Sequence, residues 1–229
     1  ILRSDPLGLS ALVNAMHDKT AIEDATHASL LGPCCRESTP RLERGAQISK
    51  KAAGNDIVMW GQVTDIKGKP IANADVSVWQ TGDDGLYDIQ ADPPSTDLRG
   101  VFTTDADGVY CLRSVAPIGY SIPMDGPVGA MVRAQGRHGM RPAHVHFLIT
   151  APGFRELVTA TYIKGDKYLA DDVVFGSAGD LVAELKPHDP ESPIKGIPSI
   201  RFDFSMAREG AVDKQMGRVG SDPAAIMRG

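Results

Sequence analysis

The sequence predicts a mainly β fold: a β-sandwich with long loops between its strands and a helical segment ahead of it. Two observations predict it. From residue 57 onward, short apolar-alternating runs are separated by turn residues at regular intervals. Before about residue 50 the pattern is helical or irregular instead. The 229 residues are enough for one large domain or for one domain with an extension. The expected division is a helical segment over 1–50 and a sandwich domain over 51–229.

Leu7, Leu9, Leu12, Val13 and Met16 recur near helical spacing, so residues 7–19 read as an amphipathic helix, with Asp5-Pro6 at its start. A weaker helical stretch is expected near 21–30. Residues 32–56, with Gly32-Pro33 and Pro40, read as an irregular connection. Residues 57–64 and 74–80 read as strands around a turn at 65–70. Residues 100–104 and 109–113 flank Asp105-Ala106-Asp107-Gly108, which signals a hairpin. Residues 143–151 and 157–163 form another strand pair, turning at Pro152-Gly153, and 200–204 is a late strand. Long loops cover 81–99 and 115–142, where function tends to collect on a rigid scaffold.

Composition narrows the classes. With 42% hydrophobic and 23% charged residues the chain is globular, and a formal charge of -5 gives no support for nucleic-acid binding. No apolar run approaches the ~20 residues of a membrane span. The three cysteines, Cys34, Cys35 and Cys111, form no CxxC pair, and a reducing, cytoplasmic compartment is expected. The chain opens at Ile1 within helix-like sequence, so a preceding N-terminal portion is expected.

The most informative residues are His144 and His146 in Arg141-Pro142-Ala143-His144-Val145-His146-Phe147. On a strand, residues two apart share a face, so both imidazoles point at one place. Tyr87 and Tyr120 lie in Gly-rich turns of the two long loops. Each feature alone is ordinary: paired histidines occur in cores and on surfaces, and a tyrosine after glycine is a common turn residue. Together, two imidazoles and two phenolates suit ferric iron, because phenolate is a hard anionic oxygen donor. His138, in Gly136-Arg137-His138-Gly139, is a further candidate ligand on spacing alone.

The chain resembles the intradiol ring-cleavage dioxygenases of the catechol 1,2-dioxygenase type, and most nearly their hydroxyquinol branch. The residues that carry the resemblance begin with Val78-Trp79-Gln80, Gly85-Leu86-Tyr87-Asp88, Arg99-Gly100 and Thr104-Asp105-Ala106-Asp107-Gly108-Val109-Tyr110. They continue through Tyr120-Ser121-Ile122-Pro123, Asp125-Gly126-Pro127-Val128-Gly129, the Arg141–Phe147 run and Val173-Val174-Phe175-Gly176. Ser4 to Ser10 and Leu12-Val13-Asn14-Ala15 match the family's helical segment, so the likeness spans roughly residues 3–205.

The resemblance implies a sandwich catalytic core and an N-terminal helical linker that forms a homodimer. It implies a non-haem Fe(III) held by Tyr87, Tyr120, His144 and His146, with a hydroxide. The implied substrates are O2 and a small aromatic diol, hydroxyquinol or a related catechol. Cleavage between the adjacent hydroxyls would give a cis,cis-muconate. Tyr120 would give way to substrate and take up a diol proton, while Arg141 would orient the substrate and stabilise its charge. Leu30, Gly32, Pro33, Cys34, Leu86, Val173 and Val174 would line the pocket, and Asp88 would meet a third substrate hydroxyl or cap its loop. Three departures bear on substrate choice: Cys34 in place of Phe or Leu, Asn14 in place of Asp, and Ala160 in place of Gln or His. The competing readings are a catechol or substituted-catechol enzyme, and a non-catalytic, transthyretin-like binding module.

Overall fold

The computed structural model describes residues 3–19, 24–32, 36, 38–50, 54–90 and 95–210. Helix α1 (Leu9–Lys19) comes first. It begins two residues later than the apolar spacing predicts, because residues 3–8 form turns in which Gly8 and Leu9 donate to the Asp5 and Ser4 carbonyls. Leu9, Leu12, Val13 and Met16 leave α1 exposed. No helix among the described residues is long and apolar enough to cross a membrane.

The strands that follow are β1 (Asp56–Asp65), β2 (Asp75–Trp79), β3 (Arg99–Thr103), β4 (Val109–Val115) and the two-residue β5 (Tyr120–Ser121). Helix α2 (Pro127–Ala134) interrupts the second long loop, a helix the sequence pattern did not predict. Then come β6 (Met140–Arg141), β7 (His144–Thr150), β8 (Leu157–Ile163), β9 (Val182–Ala183), β10 (Leu185–Lys186), β11 (Ser199–Arg201) and β12 (Phe204–Met206).

Two sheets face each other. One has β1 at its centre, with β4 antiparallel to it and β11 and β12 parallel to it. The expected late strand is thus split in two at Phe202-Asp203. The break sits against Gly61, where a Cβ would lie 1.8 Å from the Phe202 carbonyl oxygen. The other sheet has the order β3-β2-β7-β8-β9. Between them lie Met59, Val63, Leu112 and Ile200 from the first sheet and Val76, Val78, Phe102, Val145 and Ile149 from the second. Phe147 bridges the layers, with its ring 4.9 Å from Phe204 and 6.1 Å from Tyr110.

Two sequence expectations are corrected. Residues 99–115 are not a hairpin, since β3 pairs with β2 and β4 pairs with β1, in different sheets. The Asp105–Gly108 turn forms as expected, with Asp105 Oδ1 accepting from the Asp107 and Val109 amides. It carries the chain across the sandwich instead, and Gly108 is needed there because a Cβ would meet the Val63 carbonyl at 2.5 Å. The second correction concerns 24–30, which is a turn at 24–25 followed by irregular chain rather than a helix. Its amides pair with existing strands instead of with its own turns: Thr26 N–H donates to Ser205 and Ser29 N–H to Val158. The segment 38–50 also lies along the sandwich, bridged at Arg41–Val101 and Gln47–Arg113, with Ile48 in the core.

Candidate metal centre

The two histidines stand in the middle of a sheet. Along β7, Val145, Phe147 and Ile149 point into the core, which sends His144, His146 and Leu148 to the outer face. Strand register sets their neighbours. His146 lies between Trp79 and Ala160, and His144 lies beside Tyr162. The Trp79 ring stacks on His146 at 5.1 Å and 8°. The Nδ1–H of His144 donates to the Pro142 carbonyl at 2.7 Å, which leaves its Nε2 unprotonated, an acceptor that faces Arg141. The two Nε2 atoms are 3.2 Å apart.

The phenols reach the same point from the loops. After β2 the chain turns at Gly85, at φ +75°, while Asp84 Oδ1 accepts from the Leu86 amide at 2.8 Å. The next residue, Tyr87, has its amide held by Gln90 Oε1 at 3.0 Å. Tyr120 is fixed by the pairing of β5 with β6, directly opposite Arg141. The loops touch: a Cβ on Gly85 would lie 3.0 Å from Tyr120 Cβ. Tyr87 Oη is 2.9 Å from Tyr120 Oη and 3.1 Å from His146 Nε2.

Arg141 is buried at the edge of this cluster. Its NH1 is 2.9 Å from His144 Nε2 and 3.4 Å from Tyr120 Oη. Its Nε faces Asp172 at 3.4 Å and its NH2 faces the Tyr162 hydroxyl at 3.2 Å. Burial works against its charge, but Tyr162, Tyr120, Asp172 and Tyr87 outweigh it and raise its pKa further. The same burial, aided by the Arg141 charge, pushes His146 down to about 3. His144 is also pushed well below the usual imidazole range, by burial first and then by Arg141 and His146. Both imidazoles are therefore neutral at pH 7 and able to act as ligands.

The donor set fits a metal ion. Donors ~2.1 Å from one ion at right angles to each other stand about 3.0 Å apart. The contacts Tyr87–Tyr120, Tyr87–His146 and His144–His146 run from 2.9 to 3.2 Å. Among the described residues no three His, Cys, Asp or Glu side chains cluster to hold an ion, so the set exists only with its phenols. Two phenolates and two imidazoles are hard to borderline donors that suit ferric iron.

The other predicted residues divide. Gly32 lies against His146, and a Cβ there would be 3.4 Å from Nε2. Leu30, Val173 and Val174 share a small apolar cluster with Ile122 and Val132. Leu86 is exposed. Asp88 is buried and paired with Arg99, and it accepts from Arg36 NH1 at 3.1 Å. His138 is not in the centre: its Nε2 pairs with Asp171 at 3.0 Å. Pro33 and Cys34 lie outside the described residues. The sequence pattern missed Asp172, Tyr162 and Trp79. Tyr162 was recoverable from the strand pair turning at Pro152-Gly153, which sets it opposite His144.

A family model described as Dioxygenase matches residues 32–208. The chain is 41% identical over 208 residues to a hydroxyquinol 1,2-dioxygenase of Nocardioides simplex, covering 91% of this chain and 71% of that one. It is 42% identical over 188 residues to a hydroxyquinol 1,2-dioxygenase of Rhizobium sp. (strain MTP-10005), covering 81% and 63%. It thus spans about two thirds of the length of these relatives. The crystal structure of hydroxyquinol 1,2-dioxygenase from Pseudomonas putida DLL-E4 superposes with a TM-score of 0.84 at 38% identity, covering 90% of this chain and 74% of that one.

Proposed function

The chain belongs to the intradiol ring-cleavage dioxygenase family, and from that membership we propose that it opens hydroxyquinol (benzene-1,2,4-triol) or a related catechol between adjacent hydroxyls. Both atoms of O2 enter a cis,cis-muconate-type product. The observation that carries this reading is the convergence of four donor atoms beside a buried arginine.

Tyr87, Tyr120, His144 and His146 would hold a non-haem Fe(III). Bound there, the ion supplies a Lewis acid for the diol oxygens, kept oxidised by two phenolates. Tyr120 Oη takes a proton from the incoming diol. Arg141 NH1, 3.4 Å from that oxygen, stabilises the negative charge left on the substrate. Gly32 leaves clearance in front of His146 Nε2. Trp79, stacked on the other histidine face, keeps water away from that imidazole. The exposed apolar side chains of α1 support a homodimer made through the N-terminal helix. Buried, unpaired Cys111 and the absence of a CxxC motif support a cytoplasmic setting.

A second reading, catechol or a substituted catechol, has one observation in its favour. Asp88, expected either to meet a third substrate hydroxyl or to cap its loop, is paired with Arg99 and Arg36. Oxygen uptake with hydroxyquinol, catechol and 4-methylcatechol separates the two. The visible spectrum, before and after anaerobic addition of diol, tests the centre itself. A preparation that stays colourless after iron reconstitution overturns the enzyme reading in favour of a transthyretin-like binding module.

A further inference from the structure

We propose that Tyr162 is a positioning residue for Arg141, setting the plane of the guanidinium whose NH1 faces the metal centre; this rests on the reading of that centre given above.

Tyr162 projects from β8 onto the same outer face as the histidines, with its ring 5.4 Å from that of His144. It is wholly buried, yet none of the steps above uses its hydroxyl. That hydroxyl accepts from Arg141 NH2 at 3.2 Å. A guanidinium is planar, with its N–H donors in a fixed fork, so two anchors on one edge fix the direction of the other. Here the anchored edge is Nε with Asp172 and NH2 with Tyr162. The working edge is NH1, facing His144 Nε2 and Tyr120 Oη.

Of the two anchors the Tyr162 contact is the shorter, 3.2 Å against 3.4 Å. Asp172 also divides its oxygens between the Val174 and Gly176 amides. The contact of NH1 with His144 Nε2 is the closest of all at 2.9 Å, but it uses the lone pair that a metal requires. With that lone pair committed to a metal, the plane of Arg141 depends on Asp172 and Tyr162.

Tyr162 is itself held in place. Gly176 closes over it, and a Cβ there would lie 2.6 Å from the Tyr162 hydroxyl and 3.2 Å from Arg141 NH2. Ser29 Oγ sits 3.5 Å from the same hydroxyl. A hydroxyl enclosed by a glycine with no room for a side chain, and aimed at one guanidinium nitrogen, is built to orient that nitrogen.

The test is a double-mutant cycle of Tyr162→Phe and Arg141→Lys. Tyr162→Phe should keep the iron content and the visible band. It should weaken anaerobic diol binding and lower kcat/KM by roughly tenfold or more, the effect of one hydrogen bond to a charged group. In the Arg141→Lys background, where no planar fork remains, removing the hydroxyl should add nothing. An equal loss in both backgrounds, no loss in either, or loss of iron from Tyr162→Phe overturns the proposal while leaving the role of Arg141 intact. Parent-like turnover by Arg141→Lys alone overturns the role of Arg141 and this inference with it.

Discussion

Gly32 lies directly against His146: a side-chain carbon at that position would sit 3.3 Å from Cε1 and 3.4 Å from Nε2 of the imidazole. The backbone there is at φ +74°, which L-residues rarely adopt. Gly32→Val should therefore act twice. Backbone strain should lower stability by about 1–2 kcal/mol, read from denaturant midpoints. The branched side chain should crowd the front of the donor atom, raising the KM for diol and lowering kcat/KM. A parent-like KM would mean that substrate approaches from another side.

Tyr87 Oη touches both a phenol and an imidazole, at 2.9 and 3.1 Å. On the proposed reading, Tyr87→Phe removes one of the two phenolates that would stabilise a ferric ion. The expected outcome is a visible band that loses much of its intensity, with iron content measured in parallel. An unchanged spectrum at full iron occupancy would remove Tyr87 from the donor set.

Asp88 follows Tyr87 in the chain, and its carboxylate faces the buried Arg99 and the partly exposed Arg36. Asp88→Asn keeps the shape and removes the charge. Breaking a buried ion pair from one side costs about 3–5 kcal/mol, so the melting temperature should fall clearly and iron retention should weaken as the Tyr87 loop loosens. Unchanged stability with an altered ratio of hydroxyquinol to catechol turnover would instead assign Asp88 to substrate recognition.

Acid should act through the histidines. An unfolded imidazole titrates at ~6.5, whereas in the folded, metal-free protein burial and the Arg141 charge push His146 down to about 3 and His144 well below the usual range. Between those values the unfolded chain binds more protons than the folded one, so stability falls as pH falls. The full contribution is present above about pH 6.5 and is lost progressively below it, at about 1.4 kcal/mol per pH unit for each histidine. Urea midpoints of metal-free protein at pH 7 and pH 5 measure this. Equal midpoints would mean that the pair is not held neutral.

The parts of the fold that were legible in the sequence are those set by local pattern. Alternation in 57–64, 74–80, 143–151 and 157–163 gave strands because one face of each meets the core. The Asp105–Gly108 turn was equally legible, yet its role was not, since the same turn chemistry serves a hairpin and a crossing between sheets. Which one forms depends on Gly108 meeting β1. Residues 24–30 lost their helix because β8 and β12 offered the Ser29 and Thr26 amides carbonyl partners. At the centre, His144 and His146 stood out by their spacing, and the tyrosines by the turns that carry them. Tyr162 and Asp172 did not, because cross-strand register and loop closure give them their places.

The four donors do not share one support. Both imidazoles are rooted in a central strand bonded on either side, while one phenol hangs from an irregular loop and the other from a two-residue strand at the periphery. Half of the proposed ligand set is thus as durable as the sheet itself, and half only as durable as its loops. Under mild denaturation of iron-loaded protein, the visible band expected from the proposed phenolate ligands should fade while the β signal in circular dichroism persists, so colour would serve as an early gauge of loop loosening.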